Sequence, residues 1–152
     1  MKVLLIVDMQ KGFMKNDKYS LLNQKIANLI NKKIYDKLIF TKFINDKSKN
    51  ALYQSRLNWH RLKTKDEQMF SIKVPDDAVI LEKYGYGLKI EDLEYIKSLN
   101  INEIDICGLK AEDCVHAIAL QLWDNGIYPN LLTEYIVGDY DMKEIYKHQF
   151  GK

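Results

Sequence analysis

The stretch EIDICGLKAEDCVHAIALQLWDNG, residues 103–126, decides how the chain is read. It falls into three pieces. EIDICG (103–108) is a short apolar run of strand length, ending in Gly108. Five residues then separate Gly108 from Cys114. After Cys114 an apolar stripe of helical spacing begins, formed by Val115, Ile118, Ala119, Leu122 and Trp123, and Gly126 is a natural stop. A strand that meets a glycine turn and then a helix is half of a βαβ unit. It raises one question about Cys114: is it a small core residue, or a thiol that the turn presents?

The same alternation recurs on either side. VLLIVD (3–8), KLIFTKF (37–43), AVILEK (78–83) and NLLTEY (130–135) are apolar runs of strand length. Runs without polar alternation suit strands covered on both faces, as in a parallel sheet. Between them, Leu22, Ile26, Leu29 and Ile30 predict a helix over roughly 20–34, and Leu93, Ile96 and Leu99 another over roughly 89–99. Segment 47–74 is mixed. ALYQSRLNWHRL (51–62) has helical character, and KTKDEQMFSIKVPDD (63–77) reads as a long excursion of the kind that often carries function. Gly12, Gly85, Gly87 and Gly108 follow apolar runs, whereas Pro75 and Pro129 precede them. The expectation is a three-layer α-β-α, Rossmann-like, doubly wound and mostly parallel sheet of five or six strands. It is expected to form a single domain over residues 1–152.

Composition narrows the class. At 152 residues the chain can bury a full core without disulfides. Its 23 basic and 21 acidic residues are dispersed, so no nucleic-acid footprint is expected. Cys107 and Cys114 form neither a CxxC pair nor a disulfide framework. The apolar start MKVLLIV is too short for a signal or membrane segment. The expectation is a cytoplasmic protein with no membrane or nucleic-acid partner.

In doubly wound sheets ligands bind beyond the C-terminal strand ends. Three such ends carry reactive groups: Asp8 with Gln10 and Phe13 behind it, Lys83, and Cys114. Singly, each has an ordinary reading. Asp8 ends a turn, Lys83 is solvated, and Cys114 is packed. Together they form a nucleophilic set. A thiol needs a base, and a neighbouring cation favours the thiolate. A helix start adds unpaired N–H groups able to bind an oxyanion.

These blocks resemble the isochorismatase-like cysteine hydrolases, a family that includes nicotinamidases. Asp8-Met9-Gln10 with Phe13 matches the family's opening strand end. VPDDAVILEK matches the approach to its lysine, and Gly108, five residues and Cys114-Val115 match its cysteine turn. All three occur in order and span nearly the whole chain. The resemblance implies an Asp8–Lys83–Cys114 triad and a cis peptide between Leu109 and Lys110. It also implies an oxyanion hole from the N–H groups of Lys110 and Cys114, a small-molecule substrate, and association into a homo-oligomer. Isochorismatases that cleave a vinyl ether do so without the cysteine, so Cys114 points to amide or carbamoyl chemistry.

The chain also departs from the family pattern. Ala111 stands where a Thr is common. Tyr84-Gly85-Tyr86-Gly87 replaces a Ser-Ala-Phe sequence, and the tail after LLTEYIVGD is short of closing helix material. Phe13, Tyr84 and Tyr86 are the candidate substrate-binding residues, with Trp59 a further aromatic near the pocket. Nicotinamidases carry an Asp-x-His and further histidines after the second strand. Segment 43–62 here has only His60, so no metal and no cofactor are expected. Cys107 and His116 read as structural. The alternative to a hydrolase is a non-catalytic or regulatory binding protein on the same scaffold.

Overall fold

The computed structural model describes residues 1–151. Five parallel strands, β1 (Val3–Val7), β2 (Lys37–Phe43), β3 (Val79–Lys83), β4 (Glu103–Leu109) and β5 (Tyr128–Val137), form one sheet in the order β3-β2-β1-β4-β5. Helices flank it: α1 (Asp17–Asn31), α4 (Ile90–Ser98), α5 (Cys114–Asp124) and α6 (Lys143–Phe150), with α2 (Leu52–Ser55) and α3 (Lys65–Gln68) as single turns. Every residue of β1 is buried, on both faces, as an unalternated apolar run requires of a central strand. The chain steps from β1 to β2 and β3 on one side. It then returns past β1 to β4 and β5 on the other. The order therefore reverses between β1 and β4, and a crevice opens at their C-terminal ends.

Element bounds follow local chemistry. α1 starts three residues before the expected Ser20, because Asn16 caps it by accepting from the Lys18 N–H, and it ends before Lys33 turns left-handed. β5 begins at Tyr128 and includes Pro129, which a sheet tolerates on an edge strand, where no neighbour needs its missing N–H. The helical character expected of 51–62 shrinks to the single turn α2, since Asn58 and Leu62 both adopt positive φ and break any longer helix. α6 was not expected. Its signal was present in Tyr146 and Phe150, four apart on one face, and in Gly151 as a left-handed cap.

The excursion after β2 is nevertheless fixed. Met9 and Lys11 exchange backbone hydrogen bonds with Ser71 and Met69. The Gln10 side chain donates to the Phe43 and Gln68 carbonyls and accepts from the Phe43 N–H, filling a backbone role between β2 and the excursion. Buried Leu62 and Tyr53 seal it onto the core.

Candidate active site

Gly108 shapes the crevice. It pairs with Val7 at φ +122°, and a Cβ there would overlap the Val7 backbone, so only glycine lets β4 approach the end of β1 this closely. One residue on, Asp8 leaves β1 at φ 52°, a left-handed conformation that Asp tolerates better than most side chains. The Leu109–Lys110 peptide is cis, as the resemblance implied. Beyond it, the Asp113 and Val115 N–H groups donate to the Lys110 carbonyl and the Ala111 N–H to the Val137 carbonyl. Among the described residues, the N–H groups of Lys110 and Cys114 have no backbone acceptor. Tyr146 of α6 donates its hydroxyl to the Ala111 carbonyl, and Glu112 accepts from the Asp139 N–H. The short tail therefore buttresses the turn.

Three chemical groups from three strand ends meet here. The Lys83 Nζ lies 3.0 Å from Asp8 Oδ2, and both side chains are wholly buried. Lys83 reaches this point across the Phe43 ring, 4.8 Å from its centroid, and donates to the Gly85 and Tyr86 carbonyls at 2.8 and 3.2 Å. Asp8 Oδ1 accepts from the Thr41 hydroxyl at 2.7 Å, and its own N–H donates to the same oxygen at 3.1 Å. The Cys114 thiol lies near enough to this pair for both Asp8 and Lys83 to act on its ionisation. A buried ion pair of this kind is stable only when its remaining hydrogen-bonding capacity is met, and Thr41 and the two carbonyls supply most of it.

The electrostatics set the resting protonation. Burial pushes the Cys114 thiol above its ordinary value; Lys83 opposes this and Asp8 reinforces it. The thiol therefore rests neutral. Burial works to lower the Lys83 pKa, but Asp8 and Cys114 outweigh it, so the amine stays charged. Cys107, wholly buried in β4, is also raised, by burial first and Asp105 second.

Above the thiol lies a pocket of about 180 Å³. Phe13, Phe43, Tyr53, Trp59 and Tyr86 form most of its wall, and Lys110, Asp113 and Cys114 line it as well. The rings touch in sequence, with Phe13–Trp59, Phe43–Trp59, Phe43–Tyr53 and Tyr53–Tyr86 centroids 6.2, 5.5, 5.1 and 5.1 Å apart. Tyr84, expected at the pocket, lies outside it. Its ring sits near Lys49 and Lys89, with ammonium groups 5.7 and 5.8 Å from the centroid. The chain bends through 84–87 after β3, so residues two apart no longer share a face: Tyr86 lines the pocket, and Tyr84, whose carbonyl accepts from the Asn50 side chain, does not. Thr41, Phe43 and Tyr53 escaped the sequence reading. His116 packs against Tyr146 and Phe150 and pairs with Gln149, away from this site.

Donor chemistry beyond β2 does not suit a metal ion. Asn45 donates to the Trp59 and Arg61 carbonyls, Asp46 caps the Ser48 turn, and His60 is exposed and paired with Asn58. Among the described residues no three His, Cys, Asp or Glu side chains cluster as ligands would. No helix among them is long and apolar enough to cross a membrane.

A model of the isochorismatase domain matches residues 2–141. No curated protein matches the chain. Among solved structures, a pyrazinamidase of Pyrococcus horikoshii in complex with zinc superposes with a TM-score of 0.79 at 21% identity, covering 97% of this chain and 92% of its own. N-carbamoylsarcosine amidase from Thermoplasma acidophilum gives 0.75 at 14%, covering 99% and 94%. Nicotinamidase from Bacillus subtilis gives 0.77 at 17%, covering 99% and 97%. At these identities the likeness establishes a shared fold.

Proposed function

Because the chain belongs to the isochorismatase domain family, we propose that it is a cysteine hydrolase cleaving a C–N bond, amide or carbamoyl, of a small molecule. The observation that carries this reading is a neutral thiol that lines a pocket and is coupled electrostatically to a buried carboxylate–ammonium pair. The pyrazinamidase, nicotinamidase and carbamoylsarcosine amidase neighbours act on bonds of this class by name.

In this mechanism Asp8 takes the thiol proton as the Cys114 Sγ attacks the substrate carbonyl carbon. The bond to carbon and the proton transfer form together, because burial disfavours a free thiolate at rest. The carbonyl oxygen becomes an oxyanion facing the Lys110 and Cys114 N–H groups, which need no reorganisation to receive it. The tetrahedral intermediate collapses with loss of the C–N bond, and the proton held on Asp8 passes to the leaving nitrogen. Water then attacks the thioester carbonyl and gives its proton to Asp8. The C–S bond breaks, and the proton returns to Cys114. Lys83 holds Asp8 in position, and its fixed charge offsets the negative charge that passes between carboxylate and thiolate. Thr41 fixes the other carboxylate oxygen.

Ammonia release from a panel of small primary amides and ureido compounds tests the reading. Cys114→Ala is expected to lower turnover of any substrate found by at least about a thousandfold, as loss of a nucleophile does, with an unchanged circular dichroism spectrum. Undiminished turnover by that variant overturns it.

A further inference from the structure

The pocket's charge pattern points to more than a small amide. The one lysine in its wall, Lys110, is already matched by Asp139 at 3.1 Å, and Lys83 beneath it by Asp8 at 3.0 Å. Asp113 is not. It occupies the N-cap position of α5, where an Asp side chain ordinarily accepts from a first-turn N–H. Here it makes no capping bond and no ion pair, and it lines the pocket instead. Burial, and next the neighbouring Glu112, raise its pKa above the usual carboxylate range, and the opposing pull of Lys110 and Lys83, each already paired, does not offset this. Its charge acts on Tyr53 and Tyr86, which line the same pocket. One carboxylate without an ion pair thus shares the pocket with five rings, of which Phe43 already has Lys83 over it and Phe13, Tyr53, Trp59 and Tyr86 do not. Ring faces carry negative potential, and a cage of them with an added carboxylate selects a cation. A neutral or anionic substrate would leave the Asp113 charge partly desolvated and uncompensated.

We propose that the substrate pocket is specific for amides bearing a positively charged ammonium group, held by Asp113 and the Trp59, Tyr53 and Tyr86 rings. The proposal rests on the reading of this pocket as the substrate site and names the substrate class that the site takes. The carbonyl lies over Cys114, and the ammonium group sits toward Asp113 and the aromatic wall.

A matched pair of probes separates charge from shape. Trimethylammonioacetamide and tert-butylacetamide have the same branched outline and differ in one positive charge. Their binding is measured by calorimetry on the Cys114→Ser variant, which reports affinity without turnover. The cationic amide is expected to bind at least about tenfold more tightly, the scale of one desolvated cation–π contact together with a charge pair. Asp113→Asn should reduce that preference to about threefold or less. Equal binding, a preference for the neutral amide, or no binding of either overturns the proposal, as does a preference that survives Asp113→Asn. Ammonia release from both amides by the unsubstituted protein is scored separately. If the cationic amide is preferred in binding and neither is hydrolysed, the charge inference stands and the hydrolase reading falls. If both are hydrolysed and bound equally, the reverse holds.

Discussion

Cys107 and Cys114 sit on the same strand–turn–helix unit and are both buried thiols whose ionisation burial disfavours. What separates them is the company each keeps. Cys107 lies within β4, paired in register with Ile6 of β1, and the ionisable group acting on it is Asp105, which further opposes a thiolate. Cys114 lies seven residues later, across the Gly108 turn, where both Asp8 and Lys83 act on its ionisation. The comparison teaches that burial alone makes a thiol inert, whereas burial beside a base and a fixed cation makes it available on demand. It also shows what the turn accomplishes: it carries the chain from the middle of the sheet, where side chains only pack, to the rim.

The largest difference should appear in alkylation. Iodoacetamide reaches Cys114 through the pocket, while Cys107 reacts only when β4 opens. Opening a core strand costs a large share of the global stability, so the two rates should differ by at least about a thousandfold near neutral pH. Mass mapping of the labelled peptides resolves the two sites, and comparable labelling of both thiols would break the contrast.

A second experiment tries to turn one cysteine into the other. Lys83→Met removes the cation and leaves Asp8 buried and unpaired, which should destabilise the fold by about 3–5 kcal/mol in urea unfolding. Coupling it with Asp8→Asn should recover part of that loss, since no bare charge remains. In the double variant Cys114 should label more slowly than in the parent while staying faster than Cys107, which the pocket does not reach. Unaltered labelling would mean that access, not the ion pair, distinguishes the two thiols.

How far the sequence foretold this contrast depends on which part of the site is asked about. Asp8, Lys83 and Cys114 were legible because each follows an apolar run, and the topology of a doubly wound sheet sends strand ends to one rim. Cys107 was legible as packing because it lies inside such a run. Thr41 and Phe43 were not, since a residue within a strand shows no sign of which neighbour it meets, and their roles depend on the register of β2 against β1 and β3. The pocket wall was half legible. Phe13, Trp59 and Tyr86 were among the candidates, whereas Tyr53 was not: it comes from an excursion held by the Gln10 amide and by backbone pairing between 9–11 and 69–71, contacts that span some sixty residues and leave no local pattern. Tyr84 and Tyr86 could not be told apart, because the path of the chain after β3 decides which one faces inward. The fold itself was read almost whole, apart from α6, whose two aromatic anchors were too few to stand out.

A finer test concerns the support behind the thiol. Thr41→Val removes the hydroxyl that holds Asp8 Oδ1 at 2.7 Å and leaves a buried carboxylate oxygen without its partner, at a cost of about 1–3 kcal/mol. Turnover should fall with kcat affected more than KM, since Thr41 lies outside the pocket wall and acts on the position of Asp8. Thr41→Ser should restore both. A Thr41→Val variant with native turnover would place the orientation of Asp8 wholly with Lys83.

The smallest expected effect isolates Cys107. Its pKa in the folded chain lies above the ordinary thiol value of 9.0 because burial disfavours the thiolate. The unfolded chain therefore loses that proton first as pH rises. The stability tied to the neutral thiol is fully present below about pH 9 and declines above it, by at most about 1.4 kcal/mol per pH unit for one group. Several buried tyrosines and Lys83 are also raised, so the whole protein should lose stability in alkali with a steeper slope. Cys107→Ala removes one titrating group from that set. Its urea midpoint should start lower at pH 7, because a core atom is lost, and should then fall less steeply than the parent's between pH 9 and 10.5. The two curves converge in alkali if Cys107 is the inert, proton-retaining thiol that its surroundings imply. Parallel curves would mean that Cys107 ionises in the folded chain as readily as in the unfolded one, and the difference between the two cysteines would then rest on Cys114 alone.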